Sequence, residues 1–248
     1  MIFLRYKIKT VCKREKICYI LNGITINASK KEYNKMKNIK ISLFGSSIME
    51  GLLGAETVAD RYYSILHKKL SERFPSVCFS IFNGAMGGWS TRELMQKFDE
   101  FVLQYSPDYC LVMFGANNKD LARPERCLAE GELELLMEEF QQKLPQNCQR
   151  IGVVLNPVIS ERHMTWRHPA WQEAFKVWKG LDEMQEEERN KARSFYKKYD
   201  YKVLDLSEIM RPDMEKFVCS DGIHLTNEGH KLFAEKLFEI LQDSILKQ

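Results

Sequence analysis

The run Ile39-Lys40-Ile41-Ser42-Leu43-Phe44-Gly45-Ser46-Ser47 sets the frame for the whole chain. Its first six residues are rich in Ile, Leu and Phe and read as a strand, which Gly45-Ser46 ends in a turn. Downstream the same grammar recurs. A helix spans roughly Val58–Phe74, with Ile65, Leu66 and Leu70 on one face, and Val77–Phe82 is a second strand. Another helix starts at Ser90, where Ser90-Thr91-Arg92-Glu93 fits a capping box. Tyr109–Phe114 is continuously apolar, as buried parallel strands tend to be. Helices over about Ala129–Leu144, Leu181–Tyr199 and Asn227–Leu246 alternate with strands Ile151–Leu155 and Lys202–Leu206. This alternation predicts an α/β fold with a five-stranded parallel sheet covered by helices on both faces. In such sheets ligands bind beyond the carboxyl ends of the strands.

Residues 1–35 stand outside this rhythm, and Met36-Lys37-Asn38-Ile39-Lys40 looks like the natural start of the domain. The division expected is a basic N-terminal extension over 1–35 and one domain over 36–248. The extension reads as a dispensable appendage; the rival reading is a basic arm that packs on the domain or touches an acidic partner. The first 40 residues hold eleven Lys or Arg against two Glu, which leaves the remainder mildly acidic. Overall the 248 residues carry a net charge of only +3, too little to argue for a nucleic-acid partner. No apolar stretch approaches the length of a membrane span, and mean hydropathy is −0.38. The N-terminus lacks the apolar core and cleavage site of a signal peptide. Seven cysteines, an odd number with no CxxC pair, read as reduced thiols, with Cys78 and Cys110 expected in the core. Together these point to a cytoplasmic protein. They leave its oligomeric state open.

Four short blocks carry chemistry, and each has an ordinary structural reading beside it. Ser47, just past Gly45 at a strand's carboxyl end, can expose its hydroxyl at the sheet edge, yet Gly-Ser turns are common punctuation. Asn83-Gly84-Ala85-Met86-Gly87-Gly88-Trp89-Ser90 leads into a helix start and leaves backbone N–H groups free for an anion. The lysine of a phosphate loop is missing. Asn117, in Gly115-Ala116-Asn117-Asn118, can donate its amide to the same edge or merely satisfy its own turn. Asp221-Gly222-Ile223-His224 is either an acid–base unit, a carboxylate fixing one imidazole nitrogen, or an Asx turn ahead of a helix capped by Thr226.

In that order, Ser, Gly, Asn and Asp-x-x-His resemble the SGNH (GDSL-type) hydrolase superfamily from Ile39 to the end of the chain. The resemblance implies a flavodoxin-like three-layer α/β/α sandwich and a serine ester hydrolase without a cofactor. Ser47 would be the nucleophile, His224 the general base and Asp221 the group that orients it. The oxyanion hole would comprise the N–H groups of Ser47 and Gly88 and the side-chain amide of Asn117. Two positions depart from the family pattern. Gly-Asp-Ser is here Gly45-Ser46-Ser47, and Gly-x-Asn-Asp is Gly115-Ala116-Asn117-Asn118, each trading an acid for a neutral group.

The stretch Pro157–Gly180 holds His163, Trp166, His168, Trp171, Phe175 and Trp178. At a strand's carboxyl end such an insertion can wall a site; alternatively Trp171, Phe175 and Trp178 form one helical stripe on the core. Trp89 and Trp166 are the candidate substrate contacts. His163 and His168 lack a nearby Cys or carboxylate and do not suggest a metal. Gln185–Lys198 reads as a solvated helix face. The expected substrate is a small-molecule ester, carbohydrate O-acetyl groups foremost. A lysophospholipase or thioesterase for longer acyl chains, and a non-catalytic binding module of the same fold, are the alternatives. An acyltransferase would use the same residues.

Overall fold

The computed structural model describes residues 36–247, together with the backbone of three short strands before them. Those strands, β1 (Val11–Lys13), β2 (Lys16–Leu21) and β3 (Ile24–Ser29), pair antiparallel with one another. Whether residues 1–35 are dispensable lies outside the described residues.

The domain is built on β4 (Lys37–Phe44), β5 (Val77–Asn83), β6 (Tyr109–Val112), β7 (Gln149–Val154) and β8 (Lys202–Asp205). All pairings are parallel, in the order β5-β4-β6-β7-β8. The chain leaves β4 to one side for β5 and then crosses to the other side for β6. That reversal opens a crevice at the carboxyl end of β4, where open α/β sheets bind ligands.

Both faces of the sheet are apolar because both are covered, and the strand period of two assigns alternate residues to opposite layers. Ile39, Ile41, Leu43, Tyr109, Leu111 and Ile151 pack with α1 (Tyr62–Arg73) and a C-terminal helix, Asn227–Leu246. Phe44, Cys110, Val112 and Val154 face the other way, against α2 (Glu132–Lys143) and α3 (Leu181–Lys198). The C-terminal helix is α4 below. Leu111, fully buried, illustrates the stakes: truncating such a residue to Ala costs about 2–5 kcal/mol.

The expected helices and strands are present, with three corrections. The helix expected from Ser90 breaks into Thr91–Met95 and Phe98–Phe101. Cys110 is buried but Cys78 is exposed, because β5 is an edge strand and turns Phe79 inward instead. Most consequentially, α3 is not a solvated face throughout: Gln185, Glu188 and Arg189 are buried on it. Arg189 reaches the carboxyl end of β7, donating to Leu155 O at 3.1 Å and Asn156 O at 2.8 Å, and pairs with Asp182 at 2.6 Å. These bonds satisfy backbone carbonyls that the end of the strand leaves open. Among the described residues no helix is long and apolar enough to cross a membrane.

Candidate active site

Three loops, after β4, β5 and β6, carry Ser47, Gly88 and Asn117, and a fourth segment ahead of α4 carries Asp221 and His224. From β4 the chain turns through Gly45 and Ser46 into a four-residue helix, Ser47–Glu50, capped at its C-terminus by Gly51. Beyond it Gly54 lies with its backbone directly against Leu225; a Cβ there would fall 1.7 Å from Leu225 O. Only glycine permits that approach, and it seats the segment after Ser47 on the segment carrying His224. The contact is secured by buried His230 of α4. Its Nδ1 accepts from Tyr62 N at 3.4 Å, which leaves the proton on Nε2 to donate to Leu53 O at 2.9 Å. Burial lowers the pKa of this ring, consistent with a neutral tautomer in that arrangement.

The second loop follows β5. Trp89 N donates to Met86 O at 3.3 Å, closing a turn with Gly88 at its third position and a φ of +75° there. A positive φ at that position is the glycine requirement of a type II turn. The turn is gripped from two sides. Glu50 accepts from Gly87 N, and the Arg126 guanidinium donates to Gly88 O at 2.6 Å. Arg126 is itself fixed by Glu93, at 2.7 and 3.1 Å. Glu93 closes the capping box expected at Ser90, accepting from Ser90 N at 2.8 Å. Partial burial would raise the Glu93 pKa, but Arg126 and the Ser90 bonds prevail and pull it down to about 2.

The third loop follows β6. Asn117 donates from Nδ2 to Trp89 O at 3.1 Å, tying it to the second loop and leaving one amide hydrogen to spare. Asn118 is buried and serves the framework. It accepts from Thr91 N at 2.9 Å and donates to Glu188 Oε2 at 3.0 Å.

Asp221 and His224 form a bonded pair. Asp221 Oδ2 meets His224 Nδ1 at 2.6 Å, and Oδ1 accepts from the N–H groups of Ile223 and His224, both at 3.0 Å. The Asx turn and the acid–base unit are therefore the same object, and Thr226 caps α4 as expected, accepting from Gly229 N at 3.1 Å. Burial raises the Asp221 pKa, and those N–H groups together with the His224 ring more than offset it, so the carboxyl stays below its ordinary value. An ionised Asp221 draws the His224 proton to Nδ1. His224 Nε2 is then an acceptor, buried and without a partner among the described residues. Ser47 Oγ does not complete that bond here; such contacts often tighten only when substrate is bound.

A cavity of about 400 Å³ opens beside these loops, with Gly88, Asn117 and Ile223 in its wall. Trp171 lines it, whereas the candidate contacts Trp89 and Trp166 do not. Trp89 leans on Phe101 with ring centroids 6.0 Å apart, and Trp166 packs on Phe175 at 5.7 Å. Trp171 is buried with Val158, Leu181 and Met184, so it belongs both to a small core and to the cavity wall. His163 and His168 start short helices, each ring accepting from a backbone N–H two residues on. Reading the sequence missed Arg126, Glu188 and Gln185. Arg126 lies 38 residues from the carbonyl it holds, a distance at which no local pattern signals contact.

The chain belongs to the GDSL-like lipase/acylhydrolase family, whose model matches residues 43–232. It is an ester hydrolase. Solved structures with the same fold include the lipase/acylhydrolase from Enterococcus faecalis, 20% identical, with a TM-score of 0.66 over 83% of this chain and 96% of that one. A putative GDSL-like lipase from Parabacteroides merdae is 17% identical, with a TM-score of 0.59 over 82% and 95%. An acetylxylan esterase from Geobacillus stearothermophilus is 15% identical, with a TM-score of 0.63 over 83% and 94%. No curated protein matches the chain.

Proposed function

We propose that the protein cleaves small acyl esters, O-acetyl groups on carbohydrate foremost, through an acyl-Ser47 intermediate. The observation that carries this is the Asp221-held imidazole with its Nε2 buried and, among the described residues, without a partner. Ser47 Oγ attacks the ester carbonyl while His224 Nε2 takes its proton, and Asp221 stabilises the imidazolium that forms. The carbonyl oxygen, now negative, is met by the N–H groups of Ser47 and Gly88 and by the spare hydrogen of Asn117 Nδ2. A single such donor is worth about 10²–10³ in rate. His224 returns the proton to the leaving alcohol, and water, activated by the same nitrogen, releases the acid. None of these steps needs a cofactor. The unpaired thiols among the described residues support a reducing, cytoplasmic setting.

Labelling by a fluorophosphonate probe and turnover of p-nitrophenyl acetate, both abolished in Ser47→Ala, are the expected results. If wild type neither labels nor turns over, the protein is a binding module of this fold. The acetyl preference is supported by the acetylxylan esterases among the proteins of shared fold. The apolar side of the cavity, with Leu181, Met184 and Ile223, supports longer acyl chains instead. Turnover of p-nitrophenyl esters falling with chain length favours acetyl; a rise favours the lipid-like substrate.

A further inference from the structure

Ser47 begins a helix of four residues, too short to hold itself, because a first turn fixes several dihedrals for a single bond. Its last two carbonyls are held from outside. Met49 O accepts from Tyr62 Oη at 2.5 Å, and Glu50 O accepts from Asn83 Nδ2 at 3.1 Å. Tyr62, the first residue of α1, is fully buried, so its phenol has no water to bond instead. Its backbone N–H donates to His230 Nδ1, and the two rings lie parallel with centroids 6.3 Å apart. His230 in turn donates from Nε2 to Leu53 O at 2.9 Å. The path then closes through Leu52, whose N–H donates to Ser47 O at 3.0 Å.

The same circuit takes in the segment that carries the base. His230 N donates to Thr226 O at 2.9 Å in the first turn of α4, and Thr226 follows His224 by two residues. Leu53 shows that the circuit constrains the chain. It holds a φ of +59°, a left-handed conformation that is costly for a bulky residue and persists only where the surroundings fix it. Its side chain is exposed, so backbone contacts do the fixing, the bond from His230 among them. We propose that Tyr62 and His230 are a positioning pair that sets Ser47 Oγ against His224 Nε2. Tyr62 holds the helix of the nucleophile, and His230 joins that segment to the helix behind the base. Neither residue lines the cavity; both act through the backbone of the two segments they tie. The proposal rests on the roles read for Ser47 and His224.

The test uses variants that each delete one bond. Tyr62→Phe keeps the ring and loses the bond to Met49 O. Its kcat on p-nitrophenyl acetate is expected to fall about ten- to a hundredfold, with KM within about twofold of wild type. Fluorophosphonate labelling of Ser47 should slow in step. A variant that loses melting temperature but keeps kcat overturns the proposal, because a merely structural tyrosine gives that result. The His230 bond is read by rescue. In His230→Gln the amide stands near the place of Nε2 and can still donate to Leu53 O. In His230→Asn it stands near Nδ1 and can serve only Tyr62 N. The Gln variant is expected to keep kcat about tenfold above the Asn variant, and equal values overturn the pairing. These two variants also decide the matter should Tyr62→Phe not fold. Wild type that neither turns over p-nitrophenyl acetate nor labels at Ser47 removes the nucleophile itself, and the positioning role falls with it. An active wild type with unaffected variants overturns the positioning role alone.

Discussion

The Ser46 hydroxyl is buried beside Ser47 and bonds to nothing among the described residues, whereas the Asn118 amide is used at both ends. These are the two positions where the family pattern carries an acid, and they are neutral in different circumstances. At Ser46 an unpaired buried hydroxyl has lost its water without compensation, a penalty of about 1–3 kcal/mol. Ser46→Ala is therefore expected to leave stability unchanged or raise it by about 1 kcal/mol in urea unfolding. A clear loss would mean that the hydroxyl has a native partner. At Asn118 the neighbour is Glu188, 3.0 Å from the amide nitrogen. A carboxylate placed there would lose a donor and meet a like charge at contact distance. Asn118→Asp is expected to destabilise by about 2 kcal/mol or more at neutral pH, and equal stability of the two proteins would refute the account. The acid of the family pattern and a buried carboxylate on α3 exclude one another in this chain.

At the scale of elements, the turn holding Gly88 is shaped by groups far from it in sequence. The Ser90–Glu93 capping box was legible because its parts are three residues apart, and so was the glycine block. The Arg126 grip was not, because it joins a loop after β6 to a loop after β5. Arg126→Met frees Gly88 O and lets the turn relax; p-nitrophenyl acetate kcat is expected to fall about ten- to a hundredfold, since small misplacements of catalytic groups carry costs of that order. A larger effect on KM than on kcat would contradict a positioning role. The Glu93 side of the grip is visible in acid. Its folded value of about 2 lies below the ordinary 4.5, so the stabilisation is full above 4.5 and lost as pH falls toward 2. The stability difference between wild type and Glu93→Gln should shrink over that window, and a constant difference would refute it. The same limit on sequence reading applies to α3. Its span was legible, but a run of Gln, Glu and Arg does not reveal that one side lies against the sheet edge, where Gln185, Glu188 and Arg189 are buried.

For the whole molecule, burial lowers the pKa of both His163 and His230. The unfolded chain then binds protons that the native state refuses, so stability is full above the ordinary histidine value near 6.5 and declines as pH falls below it. Urea unfolding at pH 7.5 and 5.5 should show that decline, reduced in His230→Asn; a flat profile would refute it. The number and parallel direction of the five strands were legible because each crossover carries its own apolar helix face; their order in the sheet was not, since it depends on which side of β4 each crossover turns. The three N-terminal strands were passed over, although Asn22-Gly23 between two β-branched runs is a strong hairpin signal. Their topology bears on whether the extension matters. Among the described residues β1, β2 and β3 pair with one another, and every pairing of the five-stranded sheet is made from Lys37 onward. Nothing in that sheet's ladder is left open by removing residues 1–35, and the family match starts later still, at residue 43. A chain beginning at Met36 is accordingly expected to keep both its melting temperature and its turnover of p-nitrophenyl acetate. Loss of folding would show that the extension covers part of the core, and loss of turnover with folding intact would show that it reaches the site.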